Sequence, residues 1–426
     1  MRQLLKGARL VDPSQGIDDY KDLLIEKGKV EDVLKPNERV SDAKVIELDG
    51  LIITPGLIDI HTHLREPGYE YKETIATGAL AAVSGGFTSV ACMANTDPVN
   101  DNPAVAEYIM ERARTTELAN VYPIGAISKG LKGEELAEIA SLSEHGCVGF
   151  SDDGKPVMDS NLMRRAIEYA NAFDRVIISH PEDLNLSAAG VMNESRVSTE
   201  LGLAGITAAS EETMVARDII LAELTGGKVH LAHLSAKGSI DLVRQAKDRG
   251  IEITCETCPH YFSLTEMAVK ESGYNTYTKV NPPLRGEEDL EAIIEGLADG
   301  TIDAIASDHA PHNLAEKEVE FLIAAFGISG IETSLGLGLK LVKEKKIKLS
   351  RLIELMSVNP AKIIGIQAGS LKPGFPADIT VIDLDEKWEV SAKNFKSLGK
   401  NTPFEGIELT GRAIKVFVAG RQIKID

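Results

Sequence analysis

Short apolar runs alternate with amphipathic segments along most of this chain. Eight runs have the length and β-branched content of buried strands, at residues 57–64, 87–95, 121–127, 148–153, 176–180, 229–234, 251–256 and 302–308. Helical periodicity falls between or after them, at residues 75–84, 105–116, 134–144, 162–172, 213–224, 239–248, 290–298 and 334–344. Strands that alternate with helices predict an α/β fold with a parallel sheet.

The number of strand and helix units favours a closed sheet. Eight units across about 310 residues suit a (β/α)8 TIM barrel, whose active site lies at the carboxyl ends of the strands. A doubly wound open sheet is the alternative. Polar residues gather at the ends of strands one, four, five, six and eight, and only closure makes all these ends converge. We therefore predict a barrel over residues 55–365.

Both ends of the chain have a different pattern. Before residue 55 and after residue 374, short runs with β-branched residues are separated by turn formers. Neither end could bury a core alone. We predict that residues 1–54 and 366–426 pair into one small β-sandwich beside the barrel.

Composition narrows the class of protein. The chain has 426 residues, 43% hydrophobic and 26% charged, and its formal charge of −19 disfavours nucleic-acid binding without excluding a small anionic substrate. No apolar stretch reaches the roughly 18 residues that a membrane helix needs. Four scattered cysteines and a start without the apolar core of a signal peptide predict a cytoplasmic protein without a membrane partner.

Histidines at strand ends suggest a metal site. His61 and His63 close the first strand and share a face, because residues two apart in a strand point the same way. Such a pair also occurs by chance on exposed strands. His180 and His233 end strands five and six, where a histidine bonded to backbone is the simpler interpretation of each alone. Four histidines at three strand ends together favour a metal cluster.

Other candidate ligands are judged less suitable. His230 is three residues before His233, so strand parity predicts that it faces the surrounding helices. His145 lies near a helix end and is interpreted as a capping or exposed residue. Cys255 and Cys258 form a lone pair without the second pair that a structural zinc site needs, so we interpret them as apolar filling.

Carboxylates follow two of the strands. Asp152 and Asp153 end strand four, and Asp308 ends strand eight. A carboxylate can bridge two cations and so support a shared water of lowered pKa. Adjacent Asp152 and Asp153 face opposite ways, so only one can bridge, and parity does not choose between them. A solvated turn is the alternative for the Asp-Asp-Gly segment.

Several motifs resemble a known family. They are PGLIDIHTHLREPG (55–68), MANTDP (93–98), GFSDDG (149–154), NPPLR (281–285), SDHAPH (307–312) and GFPADITVIDLD (374–385). Together they resemble the cyclic amidases of the amidohydrolase superfamily and, most of all, the bacterial class I dihydroorotases. The resemblance covers essentially the whole chain.

The resemblance implies two zinc ions. His61, His63, Asp153 and Asp308 would hold one ion, and Asp153, His180 and His233 the second, with Asp153 as the bridge. Hydantoinases instead bridge with a carboxylated lysine near the end of strand four. The only lysine nearby is Lys155, followed by Pro156, and we do not assign it that role. Pro181, directly after His180, departs from the expected pattern and fixes the backbone there.

The resemblance also implies a substrate and a reaction. The substrate residues would be His63, Arg65, Asn95, Asn281 and His312, with backbone groups at Phe326 and Gly327. The reaction would be the zinc-dependent, reversible interconversion of N-carbamoyl-L-aspartate and (S)-dihydroorotate in de novo pyrimidine (UMP) biosynthesis. A metal-bound hydroxide would attack the ring amide, and Asp308 would shuttle the proton.

Two alternatives stay open at the level of sequence. The chain could be another cyclic amidase, a hydantoinase or an allantoinase. It could also be a catalytically weak, dihydroorotase-like partner of aspartate transcarbamoylase, although such chains lose ligands and here all six positions are filled. The sequence leaves open whether the chain forms a homodimer or binds a transcarbamoylase.

Overall fold

The eight predicted strands form one parallel sheet in the computed structural model, which describes residues 2–424. Their order in the sheet is their order in the chain. The strands are Leu57–Thr62, Phe87–Cys92, Asn120–Gly125, Gly149–Phe150, Val176–Ser179, Val229–Leu231, Ile253–Thr257 and Ala304–Ile305. We refer to them as barrel strands 1 to 8.

Contacts between the first and last strands close the sheet. Thr62 forms a parallel bridge with His309. His63 N donates to His309 O at 2.9 Å, and Ser307 N donates to the Asp59 carboxylate at 3.2 Å. The prediction of a (β/α)8 barrel is therefore confirmed, and the doubly wound open sheet is wrong. Closure takes place beside the residues that end strands 1 and 8.

Helices surround the barrel and fill its connections. They are Ile75–Ser84, Pro103–Thr116, Ile139–Glu144, Ser160–Asn171, Leu184–Ser187, Arg196–Leu201, Ala208–Thr225, Lys237–Asp248, Met267–Glu271, Glu287–Asp299, Leu314–Lys317, Ile331–Lys343, Leu349–Ile353 and Asn359–Ile363. The first begins at Thr74, whose hydroxyl accepts from Thr77 N at 3.1 Å, as preferred at a helix N-terminus. Within residues 2–424, no helix has the length and hydrophobicity that crossing a membrane requires.

Alternation along the strands divides the barrel core in two. Leu57, Phe87 and Leu231 belong to a large cluster that includes helix residues such as Ile109. Residues of the other parity, such as Ile58, form a separate and smaller cluster. This is the two-residue period of a strand whose two faces are both buried, one against helices and one inside the barrel.

Both chain ends build the predicted sandwich. One sheet has the order Lys29–Leu34, Asp22–Glu26, Arg2–Lys6, Ala43–Glu47, and the second has the order Arg421–Ile423, Glu408–Val418, Ile379–Glu389, Ile52–Pro55, Arg9–Asp12, Ile17–Tyr20. Leu5, Leu23, Ile53 and Phe417 are fully buried in one cluster that joins them. The composite sandwich is confirmed.

The division into domains at residues 54/55 and 365/366 stays a prediction. One stretch of the C-terminal segment packs on the barrel and not within the sandwich. Ser397 N donates to the Glu332 carboxylate at 3.1 Å, and the Ser397 hydroxyl bonds Glu73. Glu73 immediately precedes the first barrel helix, so the C-terminal segment reaches the carboxyl end of the barrel.

Candidate metal centre and active site

His61 and His63, at the end of barrel strand 1, direct both imidazoles to one centre. His61 Nε2 lies 3.3 Å from Asp153 Oδ1 and 3.6 Å from Asp308 Oδ1. His63 Nε2 lies 3.4 Å from Asp153 Oδ2 and 3.1 Å from Asp308 Oδ1. All four side chains are buried. The pair shares a face, as the spacing predicts.

The two aspartates after strand 4 point in different directions. Asp152 Oδ1 accepts from Ile127 N at 2.7 Å and from Ser128 N at 3.0 Å, so its carboxyl supports a neighbouring loop. Burial raises the pKa of Asp152 to about 6 in spite of these bonds. Asp153 instead faces the imidazoles, so Asp153 and not Asp152 is the candidate bridging residue.

His180 and His233 complete the cluster from strands 5 and 6. His180 Nδ1 lies 3.1 Å from Asp153 Oδ1 and 2.8 Å from His233 Nε2. His233 Nε2 lies 3.3 Å from Asp153 Oδ1. Asp153 is therefore within 3.4 Å of an imidazole nitrogen from each of the four predicted histidines. Pro181 does not remove the His180 ring from this cluster.

The donor set fits divalent cations. His61 Nε2 is buried and has no hydrogen-bond partner, although two carboxylates face it. Ligand atoms of His61, His63 and Asp308 lie within 4.8 Å of one another, as do those of His61, Asp153 and His233. Imidazole and carboxylate are donors that Zn²⁺ accepts. A buried nitrogen without a partner is costly unless something else binds it, and a cation would.

Charges within the cluster shift the pKa of its members. Burial opposes ionisation of Asp153, but the charge of His61 and hydrogen bonds from His180 and His233 hold the pKa of Asp153 well below its usual range. Burial likewise opposes ionisation of Asp308, and the hydrogen bond and charge of His63, with the charge of His61, lower its pKa to about 2. Both carboxylates are ionised at neutral pH.

Two glutamates that sequence reasoning missed hold the outer nitrogens of the imidazoles. His61 Nδ1 donates to Glu256 Oε1 at 2.7 Å, and His180 Nε2 donates to Glu182 Oε2 at 3.0 Å. A carboxylate on the far nitrogen fixes the tautomer and the orientation of a ligand histidine. Glu256 belongs to strand 7 and Glu182 lies two residues after His180. The signal available for Glu256 was its place as the last residue of the predicted strand 251–256.

The predicted orientation of His230 is wrong, whereas the prediction for His145 agrees with the structure. His230 Nδ1 lies 2.8 Å from Thr254 Oγ1, and its Nε2 lies 3.3 Å from Glu256 Oε2, so the ring faces the metal side of the barrel. Strand 6 ends at Leu231 and His233 has a positive φ of 37°, so the alternation of faces along a strand does not extend from 230 to 233.

His145 ends the helix Ile139–Glu144, where its Nδ1 bonds Ser141 O. Cys255 and Cys258 are buried free thiols.

One cavity of about 220 Å³ opens onto this cluster. Except for His61, every predicted site residue lines the cavity: His63, Arg65, Asn95, Asp153, His180, His233, Asn281, Asp308, His312, Phe326 and Gly327. Gly154 and Ala310 complete the lining. The structure therefore brings the predicted metal ligands and the predicted substrate residues to one place.

Arg65 and His312 lie together on one side of the cavity, where Arg65 supplies the positive charge. Arg65 Nη2 lies 3.4 Å from His312 Nε2, and Arg65 Nε donates to Pro311 O at 3.3 Å. Burial, followed by the charges of Arg65 and nearby lysines, lowers the pKa of His312 to about 3. His312 is therefore neutral at neutral pH and leaves the Arg65 charge free for an anion. Arg65 has a left-handed φ of 63°, a conformation often kept at functional sites.

Two asparagines connect the metal side to the cavity wall. His63 Nδ1 lies 2.9 Å from Asn95 Oδ1, and Asn281 Nδ2 donates to Glu182 Oε2 at 2.9 Å. Both amides are half-buried, so part of each is available to a bound molecule. Each predicted substrate asparagine thus also contacts a residue that holds the metal cluster.

Two buried lysines hold the loop that carries Phe326 and Gly327. Lys317 Nζ donates to Ala325 O at 2.7 Å and to Gly327 O at 3.0 Å, and Lys279 Nζ donates to Phe321 O at 2.8 Å. Burial lowers the pKa of Lys279 to about 8. Burial and the neighbouring Lys279 charge lower the pKa of Lys317 to about 7. Neither lysine is predicted from the sequence.

Known proteins resemble this chain along nearly its whole length. The family model for dihydro-orotase-like proteins matches residues 50–239. A dihydroorotase from Syntrophus aciditrophicus is 56% identical over 422 residues, and the match covers 99% of each chain. A dihydroorotase from Geobacter sulfurreducens is 55% identical over 420 residues, covering 99% of this chain and 98% of that one.

Solved structures show the same architecture. An L-hydantoinase (dihydropyrimidinase) from Arthrobacter aurescens superposes with a TM-score of 0.89 at 27% identity, covering 99% of this chain and 96% of that one. A dihydropyrimidinase from Brevibacillus agri gives a TM-score of 0.87 at 22% identity, with 99% and 95% covered, which supports the fold alone. Because this chain is 55–56% identical to the two dihydroorotases over nearly its full length, it belongs to the dihydroorotase family.

Proposed function

We propose that this chain interconverts N-carbamoyl-L-aspartate and (S)-dihydroorotate, and that it closes the ring in de novo pyrimidine biosynthesis. One observation carries the proposal. The cavity that opens onto the cluster of four histidines and two aspartates is also lined by Arg65, the group suited to a substrate carboxylate. Dihydroorotate carries a carboxylate on the same ring as the amide that is broken, so one small cavity must serve both groups.

We propose that the cluster holds two zinc ions. His61, His63, Asp153 and Asp308 would hold one, and Asp153, His180 and His233 the other, with Asp153 shared. The unpartnered His61 Nε2 and the position of Asp153 among four imidazoles support this assignment. Bound zinc would polarise a carbonyl oxygen and lower the pKa of a water molecule. Lys155 is exposed, which is consistent with a carboxylate and not a lysine as the bridge.

Asp308 is the proposed proton carrier. An aspartate carboxylate has an oxygen lone pair with which it can accept a proton. Asp308 lies at the rim of the cluster, 3.1 Å from His63 Nε2, and also lines the cavity. In ring opening it would take the proton of the attacking water and deliver it to the leaving nitrogen. Ring closure uses the same steps in reverse.

Arg65 is the proposed carboxylate anchor. A guanidinium offers two parallel N–H groups that match the two oxygens of a carboxylate. His312 lies beside it, and His63, Asn95, Asn281 and the backbone at Phe326 and Gly327 complete the proposed substrate site. These groups would orient the ring so that its amide faces Asp308.

We further propose a cytoplasmic enzyme, with a homodimer and a complex with aspartate transcarbamoylase as its two candidate assemblies. All six positions of the proposed metal site are filled within this one chain, so no partner is needed to complete it. Light scattering of the purified protein, alone and with a transcarbamoylase, separates a homodimer from a mixed complex.

The test is turnover by purified, zinc-loaded protein. Dihydroorotate, carbamoyl-aspartate, hydantoin and allantoin are assayed side by side, and zinc is measured by elemental analysis. We expect turnover of the first two compounds and two zinc ions per chain. Preferred turnover of hydantoin or allantoin would assign a different cyclic amide. A zinc-loaded protein that turns over none of the four would contradict the proposal.

A further inference from the structure

Asn401 lies outside the barrel in sequence but bonds two loops of the cavity. Its side chain is buried, and all of its hydrogen-bonding atoms are used. Asn401 Oδ1 accepts from His312 N at 3.0 Å and from Ser329 Oγ at 3.0 Å. Asn401 Nδ2 donates to Ala310 O at 3.1 Å and to Gly327 O at 3.0 Å. One amide therefore joins the loop after strand 8 to the Gly327 loop.

These two loops face each other across a very short distance. Gly327 has a φ of +120°, and a Cβ there would lie 2.6 Å from Ala310 Cβ and 3.5 Å from His312 Nε2. His312 Nε2 lies 2.9 Å from Phe326 O. Both loops line the cavity next to Arg65. A small shift of one loop against the other therefore changes the shape of the carboxylate side of the cavity.

The segment that carries Asn401 is itself anchored to the barrel. Glu332 accepts from Lys396 N at 2.8 Å and from Ser397 N at 3.1 Å. Leu398 N donates to Glu73 Oε1 at 3.2 Å. Asn401 O also accepts from Ser329 N at 2.9 Å. The amide is thus presented from a fixed backbone, and its position sets the positions of the groups that it bonds.

We propose that Asn401 is a positioning residue for substrate binding, which fixes His312 against Gly327 and so shapes the carboxylate side of the cavity. This inference rests on the proposed function. Asn401 does not line the cavity, so it acts through the two loops. It contacts no metal-cluster side chain, and its effect falls on substrate affinity and not on the proton transfer of Asp308.

The substitution Asn401→Asp separates positioning from packing. It keeps the shape and the acceptor for His312 N, but it turns a carboxylate oxygen toward the carbonyls of Ala310 and Gly327. Two attractive contacts become repulsive, which drives the two loops apart. Asn394→Asp is the matched control, because Asn394 lies in the same segment and is exposed.

The experiment measures kcat and KM for dihydroorotate with zinc-loaded wild type, Asn401→Asp, Asn401→Ala and Asn394→Asp. We expect the KM of Asn401→Asp to rise about tenfold or more while kcat changes less than about threefold, since only binding is lost. Asn401→Ala should raise KM less, because it removes the bonds without adding repulsion. Zinc content should stay at the wild-type level in all four proteins, and Asn394→Asp should match wild type.

A structural role of Asn401 and a positioning role predict different kinetic results. A merely structural role would lower the melting temperature and the active fraction but leave KM unchanged, because KM does not depend on the concentration of active enzyme. Unchanged KM in both folded Asn401 variants, with an active wild type, overturns this inference alone. A wild type that does not turn over dihydroorotate overturns the proposed function instead.

Discussion

The cavity has two sides that are held in place by different means. On the metal side, imidazoles are fixed by carboxylates: Glu256 bonds His61 and Glu182 bonds His180. On the substrate side, backbone carbonyls are fixed by Lys317 and Asn401, which reach Gly327 O from separate parts of the chain. The first side is a set of charged side chains held by carboxylates, and the second is a set of loop backbones held by the side chains of a lysine and an asparagine.

This difference predicts two kinds of failure. Loss of a charge on the metal side should lower metal affinity or proton transfer while substrate affinity is kept. Loss of a contact on the substrate side should raise KM while metal content is kept. Variants that fail in both ways at once would show that the two sides do not act separately.

Asp308→Asn should have the largest effect, because Asp308 lies where the two sides meet. The amide keeps an oxygen for a metal ion but cannot accept a proton. We expect kcat for dihydroorotate to fall by about 10²–10⁴-fold with zinc largely retained. Steady-state kinetics and elemental analysis on the same sample give the measurement.

The control for this variant is Asp248→Asn, an exposed aspartate of the helix Lys237–Asp248. It should behave as wild type. If Asp308→Asn hydrolyses dihydroorotate at nearly the normal rate, Asp308 is not the proton carrier.

The two sides also differ in how far sequence could predict them. The strands and their terminal histidines follow from a two-residue period and from the convergence of strand ends in a barrel, which are local patterns. Strand parity could not decide which of Asp152 and Asp153 faces the metal side. That choice depends on Ile127 N and Ser128 N, which hold the Asp152 carboxylate. Parity also failed at His230, because its strand ends before His233.

The substrate side has no comparable local pattern. Asn401 is 89 residues from His312, and Lys317 holds Gly327 through a loop whose path depends on the folded barrel. Arg65, His312 and Gly327 could be named only through resemblance to a family. The contacts of Asn401 that position His312 and Gly327 form only when the fold brings distant segments together.

Glu256→Gln should test the metal side without touching the cavity. Glutamine can still accept a hydrogen bond from His61 Nδ1, but it lacks the negative charge that makes the imidazole a stronger metal ligand. We expect zinc affinity to fall by about 10–100-fold. Competition with a chelator measures the affinity, and Glu252→Gln, an exposed neighbour on the approach to the same strand, is the control. Equal affinity in the two variants would mean that Glu256 does not support His61.

Arg65→Lys should test the substrate side. Lysine keeps the charge but loses the two parallel N–H groups that match a carboxylate. We expect KM for dihydroorotate to rise about tenfold, with zinc content unchanged. Arg164→Lys, on an exposed helix surface, should leave KM as in wild type. A fall in zinc content instead of a rise in KM would assign Arg65 to the metal side.

Glu332→Gln should have the smallest effect on turnover, because Glu332 supports the segment of Asn401 from a distance. Burial raises the pKa of Glu332 from 4.5 to about 7, in spite of the N–H groups of Lys396 and Ser397. Between these values the folded chain binds a proton that the unfolded chain has released. The contribution of Glu332 to wild-type stability is therefore greatest below the pKa of the unfolded chain, and it is lost as pH rises from about 4.5 to about 7.

Glutamine has no proton to lose, so this contribution to the pH dependence should be absent from the variant. We expect the free energy of unfolding of Glu332→Gln, relative to that of wild type, to increase by about 1–3 kcal/mol as the pH rises from 5 to 7.5. Chemical denaturation at several pH values measures it, and Glu344→Gln, an exposed position at the end of the same helix, should run parallel to wild type. Parallel curves for Glu332→Gln and wild type would mean that Glu332 is ionised in the folded protein, held by its two backbone donors. The substrate side would then be anchored by a charge, as the metal side is, and the contrast between the two would narrow to the contacts of Asn401 and Lys317.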